Sequence, residues 1–323
     1  MQRRHFMAAT AAACLAPWSA RAAAGFPARP VRIIVPYAAG GGPDVQMRQM
    51  GPHLGEALGQ PIVVENKVGA AGVLAAQVVA SSPADGYTLL QGSNTHLIQK
   101  ILQPGLKFDP LADFVPIGNI SASPSILVVA ADAPYKTAQA LIAAIRAAPG
   151  RLNYGSGGVG TAAHLAGATL VALGKLDATH IPLRGSVEIA GSLLRGDTQF
   201  AFPVAGTAMP QIQGGKLRAL AVTSGQRLPQ MPEVPTLQEV LGSPLAVQEF
   251  WSGLWAPART PADVVEPLFT ALSATLKNPA VRSAVLTSGA SVAASASPQA
   301  YAEFVRRENA KWAEIVRVID LKI

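Results

Sequence analysis

Residues 154–167 read YGSGGVGTAAHLAG, and Gly155, Gly157 and Gly160 within them spell G-x-G-x-x-G. The run follows a short apolar stretch, Leu152–Tyr154, and precedes a helical one, Thr161–Leu173. A strand, a glycine loop and a helix in that order place the segment in an α/β sheet. Three readings compete. A dinucleotide site needs an acid about 20 residues on, and Asp177 sits at that spacing, which keeps an NAD-dependent oxidoreductase in view. Asp177 precedes the next strand, Ala178–Leu183, whereas a ribose-binding acid ends it, and this is not the chain's first βα unit. A purely structural glycine turn is the second reading. The third is an anion cradle: a helix N-terminus leaves amides without acceptors, its dipole favours negative charge, and glycine lets a ligand approach the main chain. Ser156 and Thr161 add hydroxyls.

Outward from this segment the same grammar repeats. VRIIVP (31–36) is a predicted strand, followed by the loop Tyr37-Ala38-Ala39-Gly40-Gly41-Gly42-Pro43-Asp44 and a helix over Val45–Leu58. Pro61–Glu65 and Tyr87–Gln91 read as strands, with a helix over Gly72–Ala80 between them and Gly92-Ser93-Asn94-Thr95-His96 after them. The rhythm restarts with the strand Ser125–Ala130 and a helix over Ala138–Ala147. It continues through the strand Ala178–Leu183, the helix Val187–Leu194 and the strands Thr198–Phe202 and Ala219–Thr223. Two α/β lobes result. All three glycine or hydroxyl loops follow the carboxyl end of a strand, where open α/β sheets bind ligands. If the lobes face each other, the loops meet in one cleft. Near Trp251–Pro257 the chain returns to the first lobe, and crossovers fall near Ile120–Ser125 and Gln248–Gly253. The C-terminal residues read as helices. Ser297-Pro298 makes an N-cap and first turn, and Tyr301, Phe304, Val305, Trp312, Ile315, Val316 and Ile319 share one helical face suited to core packing.

Composition narrows the partners. Of the 323 residues, 50% are hydrophobic and 14% charged, which excludes global disorder, and aromatics at 6% argue against a sugar- or base-stacking surface. Met1–Ala24 has a basic start, Arg3-Arg4, an apolar run over Phe6–Ala16 and small residues at Ala20–Ala24. It reads as a cleaved signal peptide, through either a twin-arginine or a general secretion route, and the apolar run is too short to span a bilayer. The net charge is +7; losing Arg3, Arg4 and Arg21 leaves 23 basic against 19 acidic residues, a net +4. With no basic block, nucleic acid is not an expected partner, and a mild positive field suits a small acid. The sole cysteine, Cys14, lies in the signal, so the mature chain has no disulfide, thiolate nucleophile or cysteine metal site. Cys14 is a poor lipidation site, since Ala11 stands three residues before it.

Catalytic signatures are lacking: there is no G-x-S-x-G, H-E-x-x-H or Walker A run, and His5, His53, His96, His164 and His180 show no metal-ligand spacing. No catalytic residue, metal or cofactor is expected, and the chain does not read as an enzyme. Asp44 would repel an anion and reads as a helix-cap or first-turn acid. His96 and His164 read first as packed histidines. Arg184 offers a planar fork to a carboxylate, or is simply solvated.

VPYAAGGGPD, PIVVENKVGAAG, ASSPADGYTLLQGS, GRLNYGSGGVGTAAHLAG, GGKLRALAVTSGQR and WSGLWAP, in this order, resemble the Bug family. These are extracytoplasmic solute receptors of tripartite tricarboxylate transporters, and the likeness covers nearly all of the mature chain. It implies a two-lobe periplasmic binding protein of the type II-like kind, each lobe a mainly parallel sheet flanked by helices. Residues 1–24 would be the signal peptide, 25–123 with 251–323 the first lobe, and 124–250 the second. The resemblance implies ligand contacts at Tyr37, Ala39, Gly40, Gly41 and Gly42, at Ser93, Asn94 and Thr95, and at Ser156, Gly157, Gly160, Thr161 and His164. The partners implied are a small organic acid and membrane permease subunits, with the receptor itself a monomer. A receptor presenting its ligand to a signalling kinase is the neighbouring reading. The sequence departs from the family's habit at Pro43, at Leu183-Arg184 and at Pro203, which replaces an acid. These changes favour a plain or aromatic carboxylate over an amino acid.

Overall fold

The computed structural model of the protein describes residues 25–321. The signal-peptide segment and Cys14 lie outside the described residues. The first stretch runs β1 (Val31–Val35), α1 (Gly42–Leu58), β2 (Ile62–Asn66), α2 (Val73–Ala80), β3 (Thr88–Ser93), α3 (Asn94–Leu102) and β4 (Phe114–Pro124). The second runs β5 (Ile126–Ala130), α4 (Ala138–Ala147), β6 (Asn153–Ser156), α5 (Ala162–Leu173) and β7 (Thr179–Pro182). It goes on through α6 (Ile189–Arg195), β8 (Phe200–Ala201), α7 (Ala205–Gln213), β9 (Leu217–Val222) and α8 (Leu237–Leu241). The chain then returns through β10 (Glu249–Pro257), α9 (Ala262–Lys277), α10 (Pro279–Thr287), β11 (Ser291–Val292) and α11 (Pro298–Val318).

Two sheets organise these elements, in the orders β11-β4-β10-β3-β1-β2 and β7-β6-β8-β5-β9. Both are mixed rather than mainly parallel. In the first, β1 pairs in parallel with β2 and β3, while β10 runs antiparallel to β3 and β4. In the second, β6 is parallel to β7 and β8, and β5 is antiparallel to β8 and β9. The antiparallel strands are those that carry the chain out of one sheet and back into it. A βαβ crossover cannot join two lobes, so these strands escape the parallel rule.

Each sheet is covered on both faces, and strand periodicity shows how. Val31, Ile33 and Val35 of β1 point into one core with Met47, Met50 and Leu54 of α1. Ile34 points into the opposite core, with Trp251, Trp255, Tyr301 and Trp312. In the second sheet Leu127 and Val129 pack on one side with Phe200 and Phe202, and Ile126 and Val128 on the other with Ile189 and Met209. The expected core face of α11 is in place: Tyr301, Val305, Trp312 and Ile315 are buried, and Ser297 Oγ accepts from Ala300 N at 3.0 Å as the N-cap.

Pro124 and Glu249 are register partners, so the two crossovers lie side by side. Thr223 ties them together. Its N–H donates to Ser125 O at 2.9 Å and its Oγ1 accepts from Ser125 N at 2.8 Å. Gln248 N donates to Thr223 O at 2.9 Å, and Thr223 Oγ1 donates to Gln248 O.

Candidate functional site

A cavity of about 470 Å³ lies between the two sheets. Three strand ends of the first sheet reach it. Tyr37 and Ala38 come from the loop after β1, Gly69–Gly72 from the loop after β2, and Thr95 and Gln99 from the helix after β3. From the second sheet come Gly157, Gly158 and Thr161 after β6, and Leu183 to Ser186 after β7. Every one of these segments leaves the carboxyl end of a parallel strand. The lobes touch around the cavity: Gln99 Nε2 donates to Val159 O at 2.6 Å, and Gly42 N to Thr207 Oγ1 at 3.2 Å. Gly42 packs directly on Gly206, where a Cβ would come within 3.1 Å of main chain.

The loop after β6 is built by hydrogen bonds among its own residues. Ser156 Oγ accepts from Gly158 N at 3.2 Å and contacts His180 Nε2 at 2.7 Å. Gly160 adopts φ +76°, and its amide donates to His164 Nδ1 at 3.0 Å. Thr161 caps α5: its Oγ1 accepts from His164 N at 3.3 Å and donates to Gly158 O at 2.8 Å. Ala162 and Ala163 then open the helix with first-turn amides that have no intrahelical acceptor, and both line the cavity. His164 stacks on His180 with ring centroids 3.9 Å apart. Burial lowers His180 to about 4, and burial together with the neighbouring His180 lowers His164 to about 3. The two imidazoles are therefore neutral scaffolding at ordinary pH.

The loop after β1 spends its amides differently. Gly40 N donates to Asp44 Oδ2 at 2.8 Å, and Gly41 N to Ala38 O at 3.2 Å. Asp44 is 2% exposed and also accepts from Asn66 Nδ2 at 2.7 Å and Arg48 Nε at 3.0 Å. Burial pushes this carboxyl up, but the bonds from Asn66, Gly40 and Arg48 outweigh it and hold it below the usual range. Gly41 is the N-cap residue of α1, and Asp44 is the acid of its first turn, taking the amide of Gly40 just before the helix. Tyr37 OH meets Ser93 Oγ at 2.7 Å and donates to Thr95 Oγ1 at 3.3 Å, which hooks the first loop to the third. Burial raises the Tyr37 phenol against those two bonds, so it stays a neutral donor.

Of the fourteen residues the sequence singled out, Tyr37, Thr95, Gly157, Thr161 and Arg184 line the cavity. Arg184 is exposed and forms no side-chain ion pair among the described residues. Ala39, Gly40, Gly41, Gly42, Ser93, Asn94, Ser156, Gly160 and His164 do not line it, and Ala39 and Gly40 are exposed to solvent. Asn94 donates through Nδ2 to Glu249 O at 3.1 Å, tying α3 to β10. Asp177 stands beside Gly150, before β6 and β7 begin, at the opposite end of those strands from the glycine loop. It cannot serve a dinucleotide there.

Sequence reasoning missed several lining residues. Val68 to Gly72 follow β2 just as the other loops follow β1 and β6, and the GAAG run was the available signal. Ala70 and Ala71 adopt φ +45° and +49°, a conformation no local rule assigns to alanine. The helix α3, which carries Gln99, begins inside the loop that the sequence places at Gly92–His96. Phe250 and Val204 reach the cavity from the crossover strand and the start of α7; the Phe250 ring stands edge-on to Tyr37 at 5.8 Å.

Two α/β sheets, joined by paired crossover strands and enclosing a cavity at their strand ends, are the architecture of a periplasmic binding protein. Residues 46–321 match the family model of the tripartite tricarboxylate transporter family receptor, and the chain belongs to that family, the Bug receptors. It is similar to Protein BugT of Bordetella pertussis, at 33% identity over 300 residues, 92% of this chain and 91% of that one. The solved periplasmic binding protein BugD superposes with a TM-score of 0.87 at 30% identity, covering 92% of this chain and 99% of that one. MatC from Rhodopseudomonas palustris, solved with bound malate, gives a TM-score of 0.83 at 32% identity over 90% of this chain and 100% of that one.

Proposed function

We propose that this receptor captures a small organic carboxylate in the periplasm and hands it to membrane permease subunits of a tripartite tricarboxylate-type transporter. The observation that carries the reading is the cavity between the sheets, with the first turn of α5 and Arg184 on its wall. A helix start and a free guanidinium both favour an anion. The bound malate of MatC supports the same ligand class. Residues 25–123 with 251–323 form one lobe and 124–250 the other, and the pair of crossovers held by Thr223 is the hinge. Tyr37, Thr95, Gly157, Thr161 and Arg184 contact the ligand. Gly40, Gly160, Ser156 and His164 fix the loops that do so. Residues 1–24 direct export and are removed, and the mature protein acts as a monomer without catalysis.

Closure is a population shift: a ligand touching both lobes stabilises only the closed form. Isothermal titration with mono-, di- and tricarboxylates tests this. At least one acid binds in the micromolar range, about −8 kcal/mol, and raises the melting temperature. NAD leaves it unchanged. A chain that binds none of these acids, or binds NAD instead, contradicts the reading.

A further inference from the structure

The carboxylate reading leaves open what lies beyond the carboxylate, and the cavity wall speaks to that. Among the described residues, Arg184 is the one charged side chain that lines it. No aspartate or glutamate does. An ammonium group bound there would lose its hydration with no counter-charge to meet it. The acid nearest in the chain, Asp44, is buried behind the first loop and bonded to Gly40, Asn66 and Arg48.

Of the neutral polar side chains on the wall, Tyr37, Thr161 and Gln99 already have partners, while Ser186 Oγ and Gln103 Oε1 make no side-chain hydrogen bond among the described residues. Tyr37 OH is held by Ser93 and Thr95. Thr161 Oγ1 serves Gly158 and His164. Gln99 spends Nε2 on Val159 O and accepts at Oε1 from Gln103 at 2.9 Å. A ligand hydroxyl set against Tyr37, Thr161 or Gln99 would have to break one of these bonds or go unpaired, which costs more than it returns. Facing these groups are Val68, Ala71, Leu183, Val204 and Phe250. A volume of about 470 Å³ exceeds the needs of a carboxylate alone and falls in the usual range for small-molecule sites.

We propose that the ligand carries a single carboxylate on an apolar body of aromatic-ring or short-alkyl size, set against Leu183, Val204 and Phe250. The inference rests on the carboxylate-receptor reading and narrows it. Amino acids are refused for want of a counter-charge, and di- and tricarboxylates for want of a second cation against the apolar part of the wall.

Titration of the purified protein with benzoate, hexanoate, adipate, malate and aspartate tests this. Benzoate or hexanoate is expected to bind at least tenfold more tightly than malate and aspartate, and hexanoate more tightly than adipate. Malate or aspartate binding as well as either monocarboxylate overturns the inference and leaves the carboxylate reading standing. So does adipate surpassing hexanoate. Failure of every acid to bind overturns both. A second arm uses Leu183→Asp, at a partly exposed position, with the melting temperature as a folding control. The added charge is expected to weaken benzoate at least tenfold in a chain that still melts cooperatively. Unchanged benzoate binding in that variant also overturns the inference.

Discussion

The loop after β1 and the loop after β6 look alike as sequence, each a glycine run between a strand and a helix, yet they are anchored by opposite chemistry. The first contains its own anion. Asp44 takes the Gly40 amide and is fixed by Asn66 and Arg48, so that loop presents Tyr37 and Ala38 to the cavity and turns Gly41 and Gly42 toward the other lobe. The second is anchored by neutral groups, Ser156, His164 and His180, and leaves the first turn of α5 free for a guest. A glycine loop is therefore an anion site only after its amides have been counted against internal acceptors.

Acid should separate the two loops most widely. His164 and His180 are depressed to about 3 and about 4, and His96, lowered by burial against its bonds to Ser93 and Gly72, to about 4. An imidazole held neutral in the fold contributes its full stability above the ordinary value near 6.5 and loses it as the pH falls toward the depressed one. The loss is up to about 1.4 kcal/mol per pH unit for each group. Asp44, held below its ordinary value, loses its contribution only under more acidic conditions. Thermal melts between pH 7 and 5 should fall steeply for the wild type and less steeply for His180→Asn. Asp44→Asn should keep the wild-type slope, and a flattened one would break the comparison.

Asp44→Ala is the next largest effect. It removes a buried carboxylate and leaves the Gly40 amide and the Asn66 amide without their acceptor, at about 3 kcal/mol. Urea denaturation should show that loss, while carboxylate affinity in the folded fraction changes far less. A variant that loses affinity and keeps its stability would mean that Asp44 serves the ligand.

Gly160→Ala should do the reverse. The left-handed backbone at φ +76° disfavours alanine by about 1–2 kcal/mol. The new Cβ would sit 2.3 Å from Gln99 Nε2, which spans the cleft to Val159. The closed form therefore suffers more than the fold, and carboxylate affinity should drop about tenfold, equivalent to about 1.4 kcal/mol. Titration calorimetry measures it, and undiminished binding would remove Gln99 from the account of closure.

The smallest effect is stabilising. Ala71 holds φ +49° with its methyl facing Gly158 across the cleft. Ala71→Gly relieves that strain and gives back part of it as chain entropy, for a net gain of about 0.5 kcal/mol. Urea midpoints resolve a change of that size, and a loss would show that the alanine methyl packs more than it strains.

The sequence disclosed the fold through local signals. Ile33–Val35 and Ile126–Ala130 are continuous apolar runs with a proline close to one end, and the α11 face repeats at helical spacing. Non-local features left little trace. β4 contains Pro116, Gly118, Asn119 and two serines, with no alternation, because both of its faces are covered and its pairing comes from its neighbours in the sheet, chiefly β10. Gly253 in β10 lies against Tyr301, where a Cβ would come within 2.2 Å of the phenol oxygen, a demand set by α11 nearly 50 residues on. In the site, Tyr37, Thr95, Gly157, Thr161 and Arg184 were legible because each follows a strand end. Phe250 and Val204 were not, since only the packing of one lobe on the other brings them to the cavity. The role of Gly40 is misleading for the same reason: Asp44 reads as a helix-cap or first-turn acid, but the amide it consumes is visible only in three dimensions.

A crystal structure of the protein with a bound carboxylic acid tests the central claim most directly. The account predicts the carboxylate within hydrogen-bond distance of the Ala162 or Ala163 amide, with Tyr37 or Thr95 of the opposite lobe touching the same molecule. An acid held by one lobe alone, or seated outside the cleft between the sheets, would contradict it.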